Sequence, residues 1–164
     1  MKYQNITTDD MKNGDGLRVV LWVSGCEHHC PGCQNPVTWD PDDGLDFDDN
    51  ALQELLRELE EDYISGLTLS GGDPLHPANR KDILALCQVV KTIFLEKTIW
   101  LYTGYTFLEG AKQGDDILQI YELVDVIVDG PFIQEKADIN YHWAGSTNQI
   151  VWRKKDGMWY PDED

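Results

Sequence analysis

Short apolar runs and longer stretches of helical periodicity alternate along this chain. Arg18-Val19-Val20-Leu21-Trp22-Val23 is too short for a helix and rich in β-branched residues, so it predicts a buried strand. Residues Asp48 to Tyr63 place Leu52, Leu55, Leu56, Leu59 and Tyr63 on one helical face, and Asn50 with Gln53 has the spacing of a capping box. Gly66 interrupts that pattern, and Leu67-Thr68-Leu69 reads as a short strand ending in Ser70-Gly71-Gly72-Asp73-Pro74. A second helix is predicted over Asn79 to Leu95, with Ile83, Leu86, Cys87, Val90 and Phe94 on its apolar side. Thr98 to Tyr102 predicts a strand, Asp116 to Leu123 a helix, Val124 to Val128 a strand, and Ile150-Val151-Trp152 a last strand.

This β-loop-α-β-α-β-α-β order implies parallel strands joined by right-handed crossovers. Gly25, Gly71-Gly72, Gly104 and Gly130 recur at the C-terminal ends of the strands, the edge where α/β folds place their sites. There are too few strands for a closed eight-stranded barrel. The expectation is a partial, open (β/α) barrel of about five or six mainly parallel strands. At 164 residues the chain has the length of one domain, taken as 1–164, and no internal repeat is evident.

Charge narrows the partners. The net charge is −17, which disfavours a broad nucleic-acid surface. Acid is densest between Asp40 and Asp62, where Arg57 is the one base; a solvated face accounts for it, and a docking surface for a basic partner is the sharper alternative. No apolar run approaches the roughly 18 residues that span a bilayer, and MKYQNITTDD has no apolar stretch of the signal-peptide kind. The expectation is a cytoplasmic protein with reduced thiols.

Chemistry concentrates in Cys26-Glu27-His28-His29-Cys30-Pro31-Gly32-Cys33, a C-x3-C-x2-C run directly after the first predicted strand. Three thiolates so close can hold one metal centre. An iron–sulfur cluster usually takes four cysteines, and Cys87, inside an apolar helical pattern, reads as a buried small hydrophobe. Zinc with His28 or His29 as fourth ligand is the competing reading, which would leave an acidic adaptor and not an enzyme. Cys26, Cys30 and Cys33 are too clustered for an ordinary disulfide framework. His76 fits a turn as well as a site.

The cysteine spacing, followed by Gly71-Gly72-Asp73 after a later strand, resembles the radical S-adenosylmethionine (SAM) superfamily. Further runs resemble its glycyl-radical-enzyme activases, above all those of anaerobic ribonucleoside-triphosphate reductase: Asn13-Gly14-Asp15-Gly16-Leu17-Arg18, Trp22-Val23-Ser24-Gly25-Cys26, Cys33-Gln34-Asn35, Leu69 to Pro77, Trp100 to Tyr105, Val128 to Phe132 and Gly145 to Gln149. The resemblance covers nearly the whole chain. It implies a 4Fe-4S cluster on Cys26, Cys30 and Cys33, with the fourth iron open to SAM. It implies SAM contacts at Gly32, Cys33, Gln34, Gly71, Gly72, Asp73 and Asp129: backbone at Gly32 against the adenine, Asp73 receiving the methionine ammonium, and Asp129 near SAM or a cation. Gly32 departs from the aromatic residue common in the superfamily, and Tyr102 stands where some relatives carry a second acid. The implied activity is a 5′-deoxyadenosyl radical that installs a glycyl radical on the large subunit of anaerobic (class III) ribonucleotide reductase, with a flavodoxin-like electron donor. The activase of another glycyl radical enzyme, such as pyruvate formate-lyase, is the alternative.

Overall fold

The structure, a computed structural model, describes residues 1–33 and 38–162. Its strands are β1 (Lys2–Asp10), β2 (Leu17–Val23), β3 (Leu45–Asp46), β4 (Ile64–Gly71), β5 (Thr98–Tyr102), β6 (Val126–Asp129), β7 (Ile150–Lys155) and β8 (Met158–Pro161). Its helices are α1 (Asp49–Leu59), α2 (Arg80–Ile93), α3 (Phe107–Ala111) and α4 (Asp115–Leu123). All eight strands form one sheet in the order β3-β1-β2-β4-β5-β6-β7-β8.

The sheet corrects the expected five or six mainly parallel strands. Only β2-β4-β5-β6 pair in parallel, through three crossovers. The outer pairings, β1 with β2 and β3, and β7 with β6 and β8, are antiparallel. The sheet is mixed and is not a closed barrel.

The parallel strands read as unbroken apolar runs because both their faces are covered. One face carries Val19, Leu21, Val23, Leu67, Leu69, Ile99, Leu101 and Ile127, which pack with Leu55 and Leu59 of α1, Ile83, Leu86 and Val90 of α2, and Ile117 and Ile120 of α4. The alternate residues turn to the other face, where Trp100, Val126, Val128 and Val151 form a smaller cluster with Tyr102 and Trp143. No helix covers that second face with a comparable core, and a cleft opens over it.

The predicted helices are present; α1 and α2 are shorter than expected, and α4 begins one residue earlier. The N-cap of α1 is Asp48, whose side chain accepts from Ala51 N, in place of the expected Asn50 box. Gly66 is not a boundary: it lies inside β4, where a Cβ would run into Thr98 O and the Arg18 guanidinium. Arg18 is fully buried. Its five N–H donors all find acceptors: Nε donates to Thr68 Oγ1 (2.9 Å), Nη1 to Asp15 O and Thr98 Oγ1 (both 3.0 Å), and Nη2 to Leu67 O (3.0 Å) and Thr98 O (2.8 Å). Burial lowers its pKa to about 10. Most residues between Asp40 and Asp62 that carry acid are solvent-exposed, as a solvated face requires. No helix among the described residues is long and apolar enough to cross a membrane.

Candidate functional site

The cysteine loop begins where β2 ends, and backbone bonds fix its base. Gly25 N donates to Thr38 O (2.5 Å) and Cys26 N to Trp39 O (3.1 Å). The loop then turns at His29, whose φ is +45°, and its ring stacks on Trp39 with centroids 4.4 Å apart. Cys33 N donates to Cys30 O (3.0 Å), closing the second turn. Cys26, Cys30 and Cys33 all line one cleft of about 780 Å³. Burial pushes the Cys26 thiol up to about 11, so a thiolate there at neutral pH needs a bound cation to stabilise it.

The glycine turn after β4 forms the facing wall and is bonded directly to the end of β2. Gly72 N donates to Val23 O (2.8 Å) and Asp73 N to Gly25 O (2.7 Å). Gly71 has φ +101° and Gly72 lies against Gly25 O, so neither position has room for a side chain. Asn79, buried at the N-cap of α2, donates its Nδ2 to Ser24 O (2.8 Å) and Asp73 O (3.0 Å). Cysteine loop and glycine turn are therefore one hydrogen-bonded unit.

The two aspartates are placed differently from the cleft wall. Asp73 is 1% exposed and outside the cleft lining. Its Oδ2 accepts from Thr103 Oγ1 (3.0 Å) and Gly104 N (3.0 Å) and lies 2.7 Å from His28 Nε2, while its Oδ1 accepts from Leu75 N (2.9 Å). The hydrogen bond to Asp73 raises the His28 pKa against the opposing effect of burial. Asp129 is likewise buried, with Oδ2 accepting from Phe107 N (2.7 Å) and Oδ1 from Ile150 N (3.1 Å), so it ties the start of α3 to the start of β7. Its neighbours Val128 and Gly130 reach the cleft. Gly32 has φ +75° and faces the Gln134 side chain, not the cleft. Gln34 and Asn35 lie outside the described residues. His76 Nδ1 accepts from Ala78 N (3.0 Å), the role of a turn residue.

Six aromatic residues, Trp22, Trp39, Tyr102, Phe132, Tyr141 and Trp143, also line the cleft, together with polar groups such as Lys12, Asn13 and Asp138. Trp143 also packs into the fold, meeting Trp100 edge to face at 5.5 Å. Gln149, from the run Gly145 to Gln149, orders this wall. Its Oε1 accepts from Gly145 N (2.9 Å) and Ser146 N (3.0 Å), and its Nε2 donates to Gly130 O (3.0 Å). Among the described residues, no three His, Cys, Asp or Glu side chains converge to hold a single metal ion, the arrangement a mononuclear zinc site needs.

A family model described as a 4Fe-4S single cluster domain matches residues 12–152. Relatives match end to end. The anaerobic ribonucleoside-triphosphate reductase-activating protein of Enterobacteria phage T4 is 46% identical over 162 residues, covering 99% of this chain and 100% of that one. The proteins of the same name from Vibrio cholerae and Escherichia coli K12 are 43% and 42% identical, covering 93% and 92% of this chain and 98% and 97% of their own. The chain belongs to the family of anaerobic ribonucleoside-triphosphate reductase-activating proteins.

The family's iron–sulfur character can be tested against these side chains. A 4Fe-4S cluster takes a thiolate on each iron it is held by, so its ligands spread around one cavity wall instead of meeting at a point. Cys26, Cys30 and Cys33 share the lining of one cleft. Cys87 does not: it is fully buried on the inner side of α2, on the opposite face of the sheet, and burial pushes its thiol up to about 12. The cleft thus brings three cysteines and the Gly71-Gly72 turn into one lining.

Proposed function

We propose that the chain is a radical SAM activase that installs a glycyl radical on anaerobic ribonucleotide reductase. The observation that carries this is the pairing of Cys26, Cys30 and Cys33 with the Gly71-Gly72 turn across one cleft, in a chain whose full-length relatives bear that activator name. The four parallel strands and their helices then correspond to a partial barrel of the radical SAM type, with the sheet face that carries the Trp100 cluster and the cleft as its lumen.

In this reading Cys26, Cys30 and Cys33 would hold a 4Fe-4S cluster, with SAM bound beside it as cosubstrate. The cluster would supply one electron, passed on from a flavodoxin-like donor, to cleave SAM reductively, and the hydrogen atom then taken from a glycine Cα of the reductase would leave the glycyl radical there. The chain's own work is placement. Gly71 and Gly72 let backbone approach the methionine end without a Cβ in the way. Asp73 and Asp129 hold the turns around that position through backbone N–H groups. The aromatic walls keep water from a reactive radical, and the open side of the cleft admits a protein segment. The reaction belongs in an anaerobic cytoplasm.

The test is anaerobic incubation of the iron-loaded protein with SAM, a reductant and the reductase, followed by electron paramagnetic resonance. A glycyl radical doublet on the reductase is expected. Its absence with an intact cluster, or its appearance on pyruvate formate-lyase instead, would overturn the choice of partner. Iron and sulfide analysis decides the metal: one zinc per chain would remove the whole reading.

A further inference from the structure

Between Cys26 and Cys30 the loop leaves the backbone bonds that hold its base. Two side chains tie it down there: His29, stacked on Trp39, and His28. The His28 imidazole reaches across to the turn after β4 and sets Nε2 2.7 Å from Asp73 Oδ2. The ring meets Tyr105 edge to face at 4.7 Å and lies so close over Gly104 that a Cβ at that residue would run into it. The same Asp73 oxygen collects Thr103 Oγ1 and Gly104 N from the end of β5, and the other oxygen takes Leu75 N from its own turn. One buried carboxylate therefore joins the cysteine loop, the glycine turn and the end of β5. A carboxylate with four donors on its two oxygens is saturated, and it lies outside the cleft lining. An ammonium group arriving at this edge meets the backbone of Gly71 and Gly72 first.

We infer that His28 is a positioning residue for the cosubstrate: through Asp73 it fixes the height of the cysteine loop over the Gly71-Gly72 turn. This rests on the radical SAM reading and deepens it. A SAM molecule bound between them must reach the cluster on one side and the glycine backbone on the other, so the spacing of the two walls sets its affinity. His28 itself lines the cleft, and its hold on that spacing runs through the contact with Asp73. Partners of this kind, one layer behind metal ligands, typically change affinity by about 10–100-fold when removed.

The experiment uses the full chain, reconstituted anaerobically, as wild type, His28→Ala and His28→Gln. The glutamine amide keeps an N–H donor at similar reach. Iron and sulfide content are measured first, and the reduced cluster's paramagnetic signal is then titrated with SAM. The wild type is expected to show a saturable change in the signal. His28→Ala is expected to keep its iron and to need about tenfold more SAM or beyond for the same change, with His28→Gln recovering most of the loss. Three results would overturn the inference: His28→Ala titrating like the wild type; His28→Ala binding more tightly, which would make His28 a competitor for Asp73; or loss of iron in both variants, which would place His28 in cluster retention. A wild type that ignores SAM removes the radical SAM reading itself, and this inference with it.

Discussion

Gly71 stands against Val23 with no space between them. A Cβ at Gly71 would lie 2.6 Å from both the backbone N and the backbone O of Val23, at a φ of +101°. The contact involves backbone on both sides, so no rotamer change relieves it. Gly71→Ala is therefore expected to cost about 2–3 kcal/mol of stability, from left-handed strain plus displacement of the two strand ends. It should also abolish the SAM-induced change in the cluster signal. Urea unfolding of the variant beside the wild type, together with that titration, checks both; near-wild-type values would mean that the strand ends part easily.

Asn79 offers a sharper test of how the two loops are joined. Its Nδ2 donates to Ser24 O and Asp73 O, two carbonyls facing one amide. Asn79→Asp keeps the shape and replaces the donor by an acceptor. The variant is expected to lose about 3 kcal/mol, more than Asn79→Ala, because two buried carbonyls would then face an oxygen. The order of the two unfolding midpoints is the measurement, and Asn79→Ala being the less stable would refute the argument.

Periodicity made the helices and the central strands legible. Residues 18–23 and 98–102 are apolar on both faces because helices cover one side and the Trp100 cluster the other. β1 escaped because Lys2 to Asp10 is mostly polar, with only Tyr3 packed into the core as a buried residue, and its place comes from pairing with β2. The β7–β8 hairpin had a readable mark in Asp156-Gly157, where φ is +53° and +78°. Within the site, the clustering of Cys26, Cys30 and Cys33 could be read from their spacing, while Gly71 and Gly72 were picked out through the family resemblance; all five line one cleft. His28 to Asp73 spans 45 residues and Ser24 to Asn79 spans 55, so those bonds exist only once the strands are ordered side by side.

Arg18 was read merely as part of a strand, yet its guanidinium joins three parallel strands at the end opposite the cysteines. All five of its donors are used, two of them on Thr98. Lysine has three donors and no planar fork, so Arg18→Lys leaves carbonyls of Leu67 or Thr98 without a partner. The expected loss is about 3 kcal/mol, read as a lower denaturation midpoint. A variant as stable as the wild type would show that water replaces the missing donors.

Tyr102 carries a buried hydroxyl with no hydrogen-bond partner among the described residues, in the floor of the cleft, and burial raises its pKa strongly. An unpaired buried polar group is a cost. Tyr102→Phe should therefore stabilise the ligand-free chain by about 1 kcal/mol, visible as a higher melting temperature. A destabilised variant would show that the hydroxyl is satisfied within the cleft.

Cys87 separates the structural thiol from those of the cleft. Burial raises its pKa from 9.0 to about 12, so the folded state holds a proton that the unfolded state releases earlier. Its stabilising contribution is complete below pH 9 and is lost as pH rises from 9 toward 12. At pH 10 the loss is about 1 kcal/mol. The stability gap between the wild type and Cys87→Ala should accordingly be narrower at pH 10 than at pH 7, measured by urea unfolding at each pH. In the native chain stripped of iron, iodoacetamide should modify Cys26 and Cys30 while leaving Cys87 intact until denaturant is added. Rapid labelling of Cys87, or a gap that does not change with pH, would mean that α2 opens readily and that the thiol is available as a ligand after all.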